Sequence, residues 1–157
     1  GIPFKAKIAG SPQFQYLDEY KRIKYLVKYY RLENDVEFLG WIDNKDEFYK
    51  YIDVFVLPSN YEPFGIVLLE AMMYSKPIIS SLAEGPKEIF KDTKTAITFE
   101  PNSKDELANA MIKISKDANL SKELSKKGYD LVNSKYTMEK VAKTLEDSLL
   151  EIIEKYI

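Results

Sequence analysis

Two carboxylates mark the segment LPSNYEPFGIVLLEA (57–71): Glu62 and Glu70, with seven residues between them. Glu62 lies in a loop beside proline and glycine, and Glu70 in an apolar run whose spacing predicts a helix over 66–74. At the start of that helix, backbone amides around Phe64, Gly65 and Ile66 have no intrahelical acceptor and are expected to face an anion such as phosphate. Gly65 lets a ligand approach the backbone closely. Glu62 is expected to project over the same mouth. Glu70, four residues after Ile66, shares its face and looks back toward it. One carboxylate then meets one part of an elongated ligand and the second another, with amides between. A sugar joined to a nucleoside through a diphosphate has that layout, and a carboxylate can accept both hydroxyls of a ribose diol. Taken alone, a glutamate pair at this spacing is commonly a loop residue and an exposed helix charge. The surrounding residues decide.

What the chain lacks narrows the chemistry further. There is no histidine and no cysteine, which excludes Ser-His-Asp and Cys-His catalysis, histidine- or thiolate-bound metal, and disulfides. Carboxylates, lysine, tyrosine, hydroxyls, backbone amides or a bound cofactor remain. No metal and no cofactor is expected. A net charge of -2 gives no reason to expect nucleic acid as a partner. The 157 residues suffice for one domain with a real core, no apolar run reaches membrane-spanning length, and Gly1–Gly10 has no signal-peptide pattern. The abundance of lysine, glutamate, isoleucine and tyrosine fits either adaptation to heat or an AT-rich genome.

The elements that must position the two acids alternate. Strands are predicted over 4–9, 35–39, 54–57 (VFVL), 77–80 (PIIS) and 95–99 (TAITF), and helices over 16–32, 45–51 with Asp43 as cap, 66–74 and 84–90. Three helices then close the chain: 103–116, opened by Ser103 and Glu106 in capping-box spacing, 121–134, and a long one capped by Thr137 and ending near Tyr156. Strand–helix alternation followed by helices predicts an α/β fold, a parallel sheet with helices on both faces and a helical C-terminus. In such sheets ligands collect where strands end and helices begin. The loop 57–66 is one of these crossings.

Residues 53–90, DVFVLPSNYEPFGIVLLEAMMYSKPIISSLAEGPKEIF, resemble the nucleotide-sugar-binding C-terminal half of retaining glycosyltransferases of the GT-B fold, the glycosyltransferase family 4 or group 1 type. That family carries two glutamates separated by seven residues, as Glu62 and Glu70 are. Its further elements recur as Pro58-Ser59, Phe64-Gly65, Glu70-Ala71, Lys76-Pro77 and Gly85…Glu88. VEFLGWI (36–42) is similar to its strand and base-side loop, and SKYTMEKVA (134–142) to the start of its last helix. The resemblance implies a Rossmann-like parallel sheet and transfer of a hexose from a nucleoside-diphosphate sugar to an acceptor hydroxyl. It implies that Glu62 contacts the donor sugar and Glu70 the ribose hydroxyls. Ser59 and the amides near Phe64, Gly65 and Ile66 would hold sugar and phosphate oxygens, and Gly40-Trp41-Ile42 would border the base.

The family also has an earlier strand and helix, bearing a diphosphate-binding arginine and lysine, and an N-terminal acceptor domain. Neither is found in these residues. The expectation is therefore a fragment, or a subunit whose partner supplies the rest in the same or another chain, inactive by itself. A gap in the sheet and self-association through strand edges are expected with it. A cytoplasmic location is expected, with any membrane contact carried by the missing parts. The alternative is a non-catalytic nucleotide-sugar-binding or assembly module. Other features have two readings. Glu88 in EGPKE sits near the donor or within a capped helix start, and Trp41 stacks on a base or packs at its strand end, the second being favoured. The tyrosines, Tyr49 and Tyr51 among them, read as packing, and the lysine runs 113–116 and 122–127 as solvated helix faces.

Overall fold

In a computed structural model of the chain, the described residues run from Ile2 to Tyr156 and form two compact units that part between Phe48 and Tyr49. The first unit holds β1 (Ala6–Ala9) and β2 (Val36–Gly40), a parallel pair in register from Ala6 opposite Val36, with a bulge between Ile8 and Ala9. Between them run a 3-10 turn at Phe14–Tyr16 and α1 (Leu17–Tyr29). Tyr20 of α1 meets the Phe38 ring edge-on at 5.5 Å, which docks the helix on β2. The apolar spacing predicts α1 as far as Leu32, but the helix stops at Tyr29. Arg31 turns into the left-handed region at φ 56°, and its amide and that of Leu32 return to the carbonyls of Lys28 and Val27. That is a Schellman ending, here built on arginine in place of the usual glycine.

The helix α2 (Lys45–Tyr51) starts at a different cap from the expected one. Asn44 Oδ1 accepts the Glu47 amide at 3.1 Å, while Asp43 accepts the indole N–H of Trp41 at 2.8 Å. Both residues favour caps, and the tryptophan's need for an acceptor draws Asp43 away.

The second unit is built on β3 (Phe55–Leu57), β4 (Ile78–Ser81) and β5 (Ala96–Phe99), parallel and adjacent in that order. Among the described residues no pairing links this ladder to β1–β2. The connections are α3 (Ile66–Met73) and α4 (Glu84–Phe90), and α5 (Lys104–Lys116), α6 (Ala118–Lys135) and α7 (Met138–Tyr156) complete the chain. Successive strand residues face opposite sides of the sheet. On one side Val56, Ile79 and Ile97, in register across the strands, pack with Ala110 and Ile114 of α5 and Leu124 of α6. On the other, Phe55 meets the ring of Tyr49 at 5.8 Å. Every residue of β4 is buried, as a central parallel strand requires. Gly128 of α6 lets that helix approach α3, since a Cβ there would lie 3.0 Å from Met72 Cγ.

Three helix starts test the cap reading. Thr137 Oγ1 accepts the Lys140 amide at 3.3 Å and caps α7 as expected. Ser103 makes no side-chain cap; Glu106 reaches past it to the Glu100 amide at 2.9 Å, so the capping box is not formed. Asp117 caps α6 through the Leu120 amide, which starts that helix three residues earlier than Ser121. Among the described residues no helix is long and apolar enough to cross a membrane.

Candidate functional site

The carboxyl end of β3 leads into the loop carrying Ser59, Glu62 and Phe64, which turns into α3 at Gly65. Gly65 has φ 94° and ψ 45°, a left-handed conformation that suits glycine. A Cβ there would also press on Leu68 Cδ1 at 2.9 Å. The turn folds the loop back so that Glu62 Oε1 accepts the Gly65 amide at 3.0 Å and, more weakly, the Phe64 amide at 3.4 Å. The sequence reading expects these amides to stand open to a ligand. Instead the carboxylate of Glu62 occupies them, because a negative charge is favoured at the positive end of a helix and Glu62 is the acid within reach. The arrangement shows directly that two amides at this turn converge on one anionic oxygen. Ile66 follows as the first residue of α3, its side chain exposed.

Glu70 lies one turn into α3, and the structure supplies it with a partner that sequence reasoning did not single out. Tyr49 donates its phenol O–H to Glu70 Oε2 at 3.0 Å, with the Val67 carbonyl a longer second acceptor at 3.4 Å. The tyrosine is only 3% exposed and stacks on Tyr74 at 5.0 Å, so its hydroxyl has little freedom to point elsewhere. It fixes the Glu70 carboxylate as a stiff strut. Burial, and then the neighbouring Glu70 charge and hydrogen bond, push the phenol well above the ordinary tyrosine range. The unfolded chain surrenders this proton near pH ~10, whereas the folded chain holds it to higher pH. The stability contributed by the neutral phenol is therefore fully present below that pH and is lost as pH rises through the folded value. Alkaline difference spectroscopy should find that one of the twelve tyrosines ionises only as the fold is lost, and Tyr49→Phe should remove that late step. A late step that survives the substitution would place the buried phenol elsewhere.

Two more contacts hold the loop from behind. Ser81, buried at the end of β4, donates its hydroxyl to the Ser59 carbonyl at 2.5 Å. Gly85 in the first turn of α4 donates its amide to the Glu62 carbonyl at 2.9 Å, and a Cβ on Gly85 would lie 2.4 Å from Phe64 Cα. Phe64 also meets Tyr136 edge-on at 6.3 Å. The structure thus brings together Ser59, Glu62, Phe64, Gly65, Ile66 and Glu70 around the start of α3.

The remaining expected residues lie on other elements. Glu88 is exposed on α4 and lines a depression with Leu82, Lys91 and Thr98. Gly40, Trp41 and Ile42 belong to the first unit, at the end of β2. There Trp41 is 72% exposed, so it does not pack at its strand end as the favoured reading had it. Its hydrogen bond to Asp43 holds the ring out. Tyr49 and Ser81 are the residues the sequence concealed. A tyrosine at an apolar helix position and a serine closing an apolar strand both read as packing, and only the fold shows what their hydroxyls reach.

Comparison with known proteins places this geometry in a family. Residues 2–131 match the family described as Glycosyl transferases group 1. The mannosylfructose-phosphate synthase of Agrobacterium fabrum is 32% identical over 126 residues, covering 79% of this chain and 28% of its own. The solved sucrose-phosphate synthase of Thermosynechococcus elongatus is 31% identical, with a TM-score of 0.80 over 95% of this chain and 38% of its own. Anabaena HepE in complex with UDP reaches a TM-score of 0.87 at 23% identity, over 94% of this chain and 41% of that one, a likeness of fold. The chain therefore spans well under half the length of these proteins. The fold expected from strand–helix alternation and the family expected from residues 53–90 meet in one conclusion: the chain belongs to the glycosyl transferases group 1 family and has its GT-B, Rossmann-like fold.

Proposed function

We propose that this chain binds the donor in a retaining glycosyltransferase that moves a hexose from a nucleoside-diphosphate sugar to an acceptor hydroxyl, releasing nucleoside diphosphate and a proton. The carrying observation is the convergence of the Gly65 and Phe64 amides on a single anionic oxygen at the start of α3. In the reading offered here, sugar or phosphate oxygens of the donor take the place that Glu62 holds, and the Glu62 carboxylate turns to the sugar hydroxyls. Glu70, held by Tyr49, accepts hydrogen bonds from the ribose diol. As the bond from the anomeric carbon to the diphosphate breaks, negative charge grows on the departing phosphate and positive charge on the sugar. Oriented amides and a carboxylate aimed at these two charges lower the barrier without reorganising.

The acceptor side of the reaction, and the cations that neutralise the diphosphate, come in this proposal from a further domain in the same or another chain. Cytoplasmic location, with any membrane contact carried by other segments, belongs to the same reading, and recovery of the protein in a washed membrane fraction with no other segment attached would oppose it. The likeness to Anabaena HepE, determined with UDP, makes UDP the first nucleotide to test.

Glu70→Gln keeps size and helix preference and removes the charge. In the intact protein it should weaken UDP binding by about 1.5–3 kcal/mol, roughly tenfold to a hundredfold, while the melting temperature falls only modestly, because the glutamine oxygen can still accept the Tyr49 phenol without the charge. Calorimetric titration reads both the affinity and the stoichiometry. Equal affinity in the variant would make Glu70 a helix-face charge. UDP bound with no transfer to any acceptor would point instead to a nucleotide-sugar-binding module without catalysis.

A further inference from the structure

The amino ends of β3 and β4, at the opposite edge of the sheet from Glu62, border a cavity of about 460 Å³. Its charged and hydroxyl-bearing lining includes Asp53 before β3, Ser75 and Lys76 between α3 and β4, and Lys122 and Lys126 on one face of α6. None of these three lysines has an ion-pair partner among the described residues. The acid on that stretch of α6, Glu123, pairs with Lys127 instead. Three lysines line one hollow with a single acid among them, an excess of positive charge that a bound anion would relieve. The volume falls within the roughly 300–1,000 Å³ of small-molecule sites, larger than a bare ion needs.

A second observation comes from the backbone. Ser75 closes α3 in the left-handed region, φ 53°, with its amide returned to the Met72 carbonyl at 2.9 Å and that of Lys76 to Ala71 at 3.0 Å. Glycine is the residue that ordinarily takes this position, because any Cβ is strained there. As at Arg31, a residue other than glycine holds this position; here it brings a hydroxyl to the rim of the cavity.

We propose that this cavity is a second ligand site, for the phosphate ester of a small sugar or polyol. Lys76, Lys122 and Lys126 take the phosphate, Ser75 donates to it, and Asp53 accepts from a hydroxyl of the carbon skeleton. The phosphate ester is bound, not consumed. The site lies at the far end of α3 from Gly65, outside the group around Glu62 and Glu70.

The test is a titration of the intact, isotope-labelled protein with glucose 1-phosphate, followed at individual backbone amides. Saturable shifts are expected at Ser75, Lys76 and Lys122, with Gly65 and Ile66 unmoved. Lys122→Gln with Lys126→Gln should weaken binding about tenfold or more and leave UDP binding unchanged. Inorganic phosphate should bind more weakly than the sugar ester, and Asp53→Ala, which removes the acceptor, should abolish that difference. Ser75→Gly should raise the melting temperature while lowering affinity, two opposite signs that a purely structural serine would not give. Absence of saturation by about 10 mM, shifts centred on Gly65, or undiminished affinity in the double-lysine variant would overturn the site. Equal binding of inorganic phosphate would overturn its assignment to a sugar ester.

Discussion

Gly85→Ala should lower the melting temperature by several degrees and abolish most nucleotide affinity, although alanine is the better helix former. Gly85 lies in the first turn of α4, and by propensity alone the change would stabilise that helix by up to ~1 kcal/mol. Packing reverses the sign. The new methyl would sit 2.4 Å from Phe64 Cα, 2.5 Å from its nitrogen and 2.6 Å from its carbonyl carbon. All three are backbone atoms, so no rotamer change gives relief, and α4 and the Glu62–Gly65 loop must separate. The separation stretches the Gly85 amide bond to the Glu62 carbonyl, 2.9 Å in the native loop. Overpacking of this kind costs about 1–3 kcal/mol, which for a protein of this size lowers the melting temperature by roughly 2–4 °C per kcal/mol. A displacement approaching 1 Å at a reacting group costs on the order of a hundredfold in rate. Gly128→Ala is the control. Its methyl would meet only side-chain atoms of Met72, 3.0 Å from Cγ, so a small shift of that side chain gives relief and the loss should be smaller than for Gly85→Ala. Calorimetry of unfolding and of UDP binding checks both variants. A Gly85→Ala protein as stable as the parent and binding UDP equally would mean that the loop is not clamped from behind.

How far the sequence could carry this is clearest where one residue type serves two purposes. VFVL and PIIS announced buried parallel strands, because a strand covered on both faces must be apolar throughout, and β4 is buried at every residue. Thr137 announced a helix start, because its hydroxyl has one obvious use there. Asp43 and Asn44 are adjacent and equally good caps, so only the exposed Trp41, with an N–H to satisfy, decides between them. At the candidate site, the spacing of Glu62 and Glu70 singled out two acids, but not the partners that hold them. Tyr49 reaches Glu70 across 21 positions and Ser81 reaches Ser59 across 22, contacts that no local pattern encodes. The pairing of β1–β2 and β3–β5 into separate ladders is likewise invisible to periodicity, which reports the burial of a strand and not its neighbours.

Glu62→Ala should leave UDP affinity unchanged or slightly raised while sugar transfer falls by roughly a hundredfold. The two effects separate because Glu62 has two positions in the proposed cycle. In the structure its carboxylate fills the turn, accepting the Gly65 amide at 3.0 Å. An incoming donor oxygen must displace it, and the lost charge-assisted bond is subtracted from binding. Alanine removes this competitor, so the amides meet the nucleotide unopposed. Against that gain, the turn loses the bonds from the Gly65 and Phe64 amides, about 1 kcal/mol of stability that a modest fall in melting temperature will report. In the transition state the balance is different. The displaced carboxylate is then free to face the sugar as positive charge develops at its anomeric carbon, an interaction absent from the UDP complex and therefore expressed in kcat rather than in affinity. Glu62→Gln separates the charge from the size: it can still accept the Gly65 amide, so stability should recover while transfer stays low. The measurements are calorimetric titration with UDP and a transfer assay over a panel of UDP-hexoses and acceptors, on the intact protein. If affinity and transfer fall together, Glu62 does no more than bind. If transfer survives in the alanine variant, Glu62 only braces the turn before α3, and the carboxylate facing the anomeric centre must be sought elsewhere.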